Sequence, residues 1–333
     1  MKMKLIVESH VPYVPEELAC YFDIEKVAPE NIDAACVRDA DALIVRTRTR
    51  CNAALLAGSR VKFIGTATIG TDHIDMPWCE ANGIAVANAP GCNAPAVAQY
   101  VYASLLRLFP EGLAGKTIGV VGVGHVGSIV ADWGEQLGMK VLCCDPPRAE
   151  VEGSEGFVDL EQISAEADII SFHVPHTVDG KHATHHIANR PFFGSLRRRP
   201  VIINAARGPI VDTISLIHAI NIGIVGPVVM DTWEGEPNIN TELLKRVAIA
   251  TPHIAGYSHE GKVRATTAVV NALCRHFGID YSYDPGLPYL PERVTEQSIA
   301  ASFDPMVYDA VLSPLASNFE IVRNTYPLRS EVR

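Results

Sequence analysis

The chain has 333 residues, enough for two domains that each bury their own core. Hydrophobic residues make up 48% and charged residues 20%, a globular composition rather than a disordered or fibrous one. The formal charge of −10 argues against general binding to nucleic acid or anionic membrane, which needs a basic surface. An anionic substrate would require a local cationic pocket built against that charge, which gives weight to any arginine cluster. No apolar run approaches the roughly 20 residues that cross a bilayer. The opening stretch reaches Glu8 too early for the apolar region of a signal peptide, so the cytoplasm is the expected compartment. The eight cysteines are scattered without a Cys-x-x-Cys pair. Buried, reduced thiols are expected, with no metal site and no disulfide framework.

In chain order, strand-like runs alternate with helix-length stretches, the pattern of parallel βαβ units. The first runs are Lys4–Glu8, Ala42–Arg46, Phe63–Thr66 and Ile84–Ala87. A long helix is expected from Ala94 to about Leu106, leading into a second region. There the alternation resumes with Thr117–Val121, Lys140–Cys144, Ile169–Phe172, Val201–Asn204, Val228–Asp231 and Ala248–Ala250. The fold class is therefore α/β, with two doubly wound parallel-sheet domains over residues 1–93 and 94–256. After His276 the stretch Tyr281–Pro291 is rich in proline and aromatics and reads as an extended linker. It opens a small C-terminal appendage, residues 281–333.

The strongest local signal is Gly122-Val123-Gly124-His125-Val126-Gly127. It follows the apolar run Thr117–Val121 and opens a helical stretch, Ser128–Leu137, that ends at Gly138, a natural left-handed cap. In this context Gly122 permits a tight turn, Gly124 a close approach of pyrophosphate to backbone, and Gly127 close helix–strand packing. The helix N-terminal amides would face the diphosphate. Asp145, eighteen residues beyond Gly127, stands where a carboxylate accepts hydrogen bonds from the adenosine ribose. A 2′-phosphate would meet like charge there, so NAD is expected over NADP, with Arg148 nearby as the one cation that could offset this.

Ligands of open parallel sheets bind beyond the carboxyl ends of the strands. Val201–Asn204 runs into Arg207, Val228–Asp231 into Glu236, and Ala248–Ala250 into His253. Hydride transfer from a secondary alcohol needs a base for the hydroxyl proton, and His253 has the right intrinsic pKa. Glu236 is the candidate to orient that imidazole. Arg207 can hold a substrate carboxylate through its fork of donors. In Arg46-Thr47-Arg48-Thr49-Arg50, an extended backbone would send all three arginines to one side. Arg46, nearest the strand end, is the candidate for a phosphate or carboxylate contact.

These segments, with Asn204–Gly208, Asp231–Pro237 and Thr251-Pro252-His253, resemble the D-isomer-specific 2-hydroxyacid dehydrogenases over about residues 1–275. The resemblance implies a Rossmann-like NAD domain and a flavodoxin-like substrate domain, the latter completed by a late helix at about 261–277. It implies catalysis by Arg207, Glu236 and His253. Cofactor contacts are implied from Ala205, Arg207, Asp231 and Gly256 together with the glycine turn and Asp145. Further stretches, Gly65–His73, Ala89–Ala94, Cys144–Arg148 and His253–Tyr257, look closer to members acting on a small phosphorylated hydroxyacid. That implies substrate contacts from Thr47, Thr68 and Tyr257, and a homodimer joined through the C-terminal segment. Two alternatives stay open: a member acting on 3-phosphoglycerate or on glyoxylate and hydroxypyruvate, and a non-catalytic NAD-sensing, corepressor-like protein, since a fold does not fix a function.

Overall fold

Short β-branched runs, most of them buried on both faces, build two all-parallel sheets. The computed structural model describes residues 2–288, 290–308 and 318–333. The chain divides into one unit of Met1–Asn93 with Ser258–Tyr289, and a second of Ala94–Tyr257 with Leu290–Arg333.

The first unit contains β1 (Met3–Glu8), β2 (Phe22–Val27), β3 (Ala42–Val45), β4 (Phe63–Thr66) and β5 (Ala85–Ala87), in the spatial order β2-β1-β3-β4-β5. This is the order of flavodoxin-like sheets, with the switch of direction between β1 and β3. The strand β2 was not expected from sequence. It is an edge strand whose Phe22 alone is buried, so its charged residues hide the periodicity. The late helix His259–His276 packs Val269, Val270, Leu273 and Cys274 into one cluster with Leu5, Val7, Ile44 and Phe63. It approaches the sheet so closely that a Cβ on Gly65 would lie 3.0 Å from that of Val269.

The second unit contains β6 (Thr117–Val121), β7 (Lys140–Cys144), β8 (Ile169–Phe172), β9 (Val201–Asn204), β10 (Val228–Met230) and β11 (Ile249–Ala250). Their order is β11-β10-β9-β8-β6-β7, and a single bridge from Cys143 to Phe157 stands outside β7. Counted with that bridge, the order is the Rossmann one with its third strand reduced to one residue. The helix Ala94–Leu108 is buried along almost its whole length, including Tyr100 and Tyr102, and so it lacks a polar face. Of the C-terminal residues expected as an appendage, Phe319, Tyr326 and Val332 lie in the core clusters of this unit.

All eight cysteines are free, and the expectation that they are buried holds for five of them: Cys20 is exposed and Cys36 and Cys143 are half-buried. Among the described residues no helix is long and apolar enough to cross a membrane, and no cluster of His, Cys, Asp and Glu suits a metal ion. Leu273 is fully buried against the first sheet. Leu273→Ala is therefore expected to cost about 2–5 kcal/mol in a urea titration; a loss below about 1 kcal/mol would mean that the late helix is not part of that core.

Candidate active site

The glycine turn follows β6, and its three glycines do different things. Gly122 has φ +89°, and a Cβ there would lie 2.8 Å from the His173 backbone. A Cβ on Gly127 would lie 1.9 Å from the Gly122 carbonyl oxygen, so the helix His125–Gln136 can start against the strand only with glycine at that position. Around Gly124 there is open space, and no side chain caps the helix that it precedes. Packing explains Gly122 and Gly127; Gly124 marks a cradle beside amides left for an anion.

Asp145 follows β7 and accepts from Val123 N at 2.7 Å, which ties it to the same turn. Its other oxygen caps the next helix at Arg148 N. Arg148 directs Nε and Nη2 onto Glu152, each at 2.7 Å, and Nη1 onto the Val123 carbonyl. The guanidinium that could have received a 2′-phosphate is thus already engaged.

The turns after β9, β10 and β11 meet. His253 Nδ1 lies 2.8 Å from Glu236 Oε2, and Glu236 Oε1 accepts from Trp233 N at 2.7 Å. Because a carboxylate only accepts, the imidazole proton belongs on Nδ1, leaving Nε2 as the basic atom. Burial pushes the Glu236 carboxyl up, but His253, the Trp233 amide and Arg323 outweigh it and hold the group below the usual carboxylate range. The neighbouring Glu234 is turned elsewhere, its carboxylate accepting from His186 Nε2 at 2.6 Å. Arg207 donates Nη1–H to the Ala206 carbonyl at 2.9 Å, and its own carbonyl accepts from Asn204 Nδ2. Ala205, Gly256 and Tyr257 are half-buried beside these turns.

Asp231, expected on the cofactor, is 1% exposed and acts within the chain. Its Oδ1 accepts from Ile254 N at 2.7 Å and from Thr251 Oγ1 at 2.6 Å, and its Oδ2 accepts from Ala255 N at 2.9 Å. Burial pushes its carboxyl up, with His253 and these donors opposing. Tyr100 Oη lies 2.7 Å from Thr251 Oγ1 and extends the network into the buried helix. Sequence reading missed Thr251 and Tyr100. Nothing in local spacing joins residues so far apart.

In the first unit, the run from Arg46 to Arg50 does not stay extended. Buried Glu8 at the end of β1 accepts from both Arg46 N (2.9 Å) and Thr49 Oγ1 (2.7 Å), drawing the backbone into a turn closed by Thr49 N to Arg46 O. The alternation expected of the three arginines is lost. Arg46 is half-buried and donates to the His10 carbonyl, whereas Thr47, Arg48 and Arg50 are exposed. Burial and the charge of Arg46 push the Lys262 ammonium down to about 8. Thr68 Oγ1 donates to the Gly70 carbonyl and lies 2.7 Å from Thr66 Oγ1.

Residues 96–255 match the model of the D-isomer specific 2-hydroxyacid dehydrogenase, NAD binding domain. The chain is 46% identical over 341 residues to erythronate-4-phosphate dehydrogenase of Bacteroides thetaiotaomicron, covering 99% of this chain and 97% of the relative. The chain belongs to the D-isomer-specific 2-hydroxyacid dehydrogenase family. The Escherichia coli relative of the same name is 46% identical over 280 residues, 83% of this chain and 74% of the relative. Among solved structures, NAD-bound 3-phosphoglycerate dehydrogenase of Entamoeba histolytica superposes with a TM-score of 0.70 at 25% identity, covering 87% of this chain and all (100%) of that one. D-lactate dehydrogenase of Aquifex aeolicus, complexed with NAD and lactic acid, gives a TM-score of 0.65 at 27% identity, covering 83% and 96%. NAD is the cofactor of this family, and the open space at Gly124 on an uncapped helix N-terminus fits its diphosphate.

Two glycine variants separate packing from binding. Gly127→Ala is expected to destabilise by about 2 kcal/mol or more through overpacking. Gly124→Ala should leave the unfolding free energy within about 0.5 kcal/mol of wild type yet weaken NAD about tenfold in calorimetry. Equal effects of the two variants on stability would contradict this division of roles.

Proposed function

We propose that this chain catalyses the NAD-dependent oxidation of 4-phospho-D-erythronate to 2-oxo-3-hydroxy-4-phosphobutanoate, a cytoplasmic step in pyridoxal 5′-phosphate (vitamin B6) biosynthesis. The observation that carries the reading is the 2.8 Å hydrogen bond between His253 Nδ1 and Glu236 Oε2, in a chain 46% identical to a relative bearing that enzyme's name.

Oxidising a secondary alcohol removes a hydride from carbon and a proton from oxygen. Bound NAD supplies the hydride acceptor. His253 takes the hydroxyl proton on Nε2, since Nδ1–H is committed to Glu236. As the imidazole becomes cationic, the Glu236 carboxylate stabilises it, and a carboxyl held below its usual range remains ionised to do so. Arg207 is assigned to the substrate carboxylate and to the carbonyl that develops beside it, where a planar fork of donors suits both. Arg46, Thr47, Thr68 and Tyr257 are assigned to the remainder of the substrate. Gly122–Gly127 and Asp145, with Ala205 and Gly256, are assigned to NAD, and Asp231 to the His253 turn whose amides its carboxylate holds. A homodimer formed through residues 281–333 belongs to the same reading, and sedimentation velocity checks it.

An assay of NADH formation compares 4-phospho-D-erythronate with 3-phosphoglycerate, expecting turnover of the first and at least a hundredfold lower kcat/KM for the second. Preference for 3-phosphoglycerate would transfer the chain to another member of the family, and NAD binding without turnover would favour a sensing protein. His253→Ala is expected to lower kcat about 10²-fold or more while leaving the Kd for NAD within about twofold. Arg207→Lys should lower kcat/KM despite the retained charge, because the two-pronged geometry is lost. Wild-type kinetics in either variant would remove that residue from its role.

A further inference from the structure

The C-terminal residues lie outside the family's matched domain, 96–255, yet they reach the loop that carries His253. Arg329 is buried, 9% exposed. Its Nη1 donates to the carbonyls of Ile254 and Tyr257, each at 3.1 Å. Its Nη2 donates to the carbonyls of Ala255 and, at 2.9 Å, Ala96. Its Nε donates to Gln99 Oε1 at 2.9 Å, and the guanidinium lies 4.2 Å over the ring of Phe303. Gln99 in turn donates Nε2–H to the carbonyl of Ser330, so the clamp is closed from both sides. A buried guanidinium needs such saturation, and here three of its acceptors belong to the four residues after His253.

The same arm carries Arg323 in the helix Phe319–Thr325. Arg323 interacts electrostatically with Glu236 and hydrogen-bonds the side chain of Tyr257. Phe319, Tyr326 and Val332 seat the arm in the core of its unit, so the two arginines are held on a packed element.

We propose that the C-terminal arm is a positioning element of the active site: Arg329 fastens the His253 loop by its carbonyls, and Arg323, paired with Glu320 at 3.4 Å on the same helix, brings a cation within electrostatic reach of Glu236. The amides of Ile254 and Ala255 are held from one side by Asp231, and their carbonyls from the other by Arg329. A loop gripped on both its donors and its acceptors has little freedom to let the imidazole swing away from Glu236. Neither arginine is assigned a contact with substrate or cofactor.

The inference rests on reading His253 and Glu236 as the acid/base pair, and its test separates the two. Two variants of the full chain are compared with wild type: Arg323→Gln, and Arg329→Lys, which keeps the charge but cannot span three carbonyls. The imidazole of His253, assigned through His253→Asn, is titrated by NMR in the presence of NAD. Among the described residues, the charged and titratable groups acting on the pair are Arg323 and Asp231, and those acting on Arg323 in turn are Glu320, at 3.4 Å, and Tyr257. Removing the Arg323 cation favours the protonated form of both partners, so the titration of the coupled pair should move to higher pH by about half a unit or more. Its effect on 4-phospho-D-erythronate oxidation should be a matching upward shift of the acid limb of kcat/KM. Arg329→Lys should lower kcat about tenfold per folded molecule, with KM for NAD within about twofold. A merely structural residue would lower the unfolding midpoint and leave both readouts in place. Should Arg329→Lys not fold, Gln99→Ala, which releases the guanidinium Nε, replaces it with the same expected direction. An unmoved titration in Arg323→Gln together with an unchanged kcat in the Arg329 or Gln99 variant overturns the inference. Absence of turnover in the wild type overturns the acid/base reading instead, and the titration still decides whether the arm acts on the pair.

Discussion

His253 adopts φ +59°, a left-handed conformation that a residue with a Cβ seldom takes without outside support. The support comes from Asp231. Its main-chain carbonyl accepts from His253 N at 2.7 Å, and its carboxylate takes the next two amides and the Thr251 hydroxyl. A buried carboxylate is costly unless hydrogen-bonded, and here the donors it needs are the ones that the turn must place. One residue thus satisfies its own burial and sets the backbone that aims the imidazole. Tyr100 backs Thr251 from the buried helix, so the site's geometry is anchored in the core rather than in a free loop.

The sheets explain why the chemistry collects at strand ends. Parallel strands with both faces covered leave only their edges and ends for polar groups. In the second unit the glycine turn, Arg207, Glu236 and His253 follow β6, β9, β10 and β11. In the first, Glu8 ends β1, and Arg46 and Thr68 follow β3 and β4. The acidic chain concentrates cations locally there, and the depressed Lys262 shows how far burial beside Arg46 taxes an ammonium.

Much of this was legible before any coordinates. Five strands have the expected boundaries: β4, β6, β7, β8 and β9. Others differ by one residue at an end, where hydrogen-bond pairing rather than hydropathy decides. The edge strand β2 escaped because only one side chain of its six is buried. The expectation for Arg46, Arg48 and Arg50 failed because Glu8, distant in sequence, pulls the segment into a turn. A period of two describes a strand only while nothing outside the strand competes for its backbone.

What the sequence determined by itself was the fold class, the dinucleotide turn and the set of residues at the strand ends, because each follows from local periodicity and the steric needs of glycine. Packing identified Gly124 as the one glycine of the turn that its own chain does not require. Only the tertiary structure turned Asp231 from a ligand candidate into the clasp of the His253 turn, engaged Glu234 with His186, and brought Arg323 and Arg329 to that turn from the far end of the chain. These depend on which groups meet after burial, where an unpaired polar atom is expensive and its partner can come from any distance in sequence.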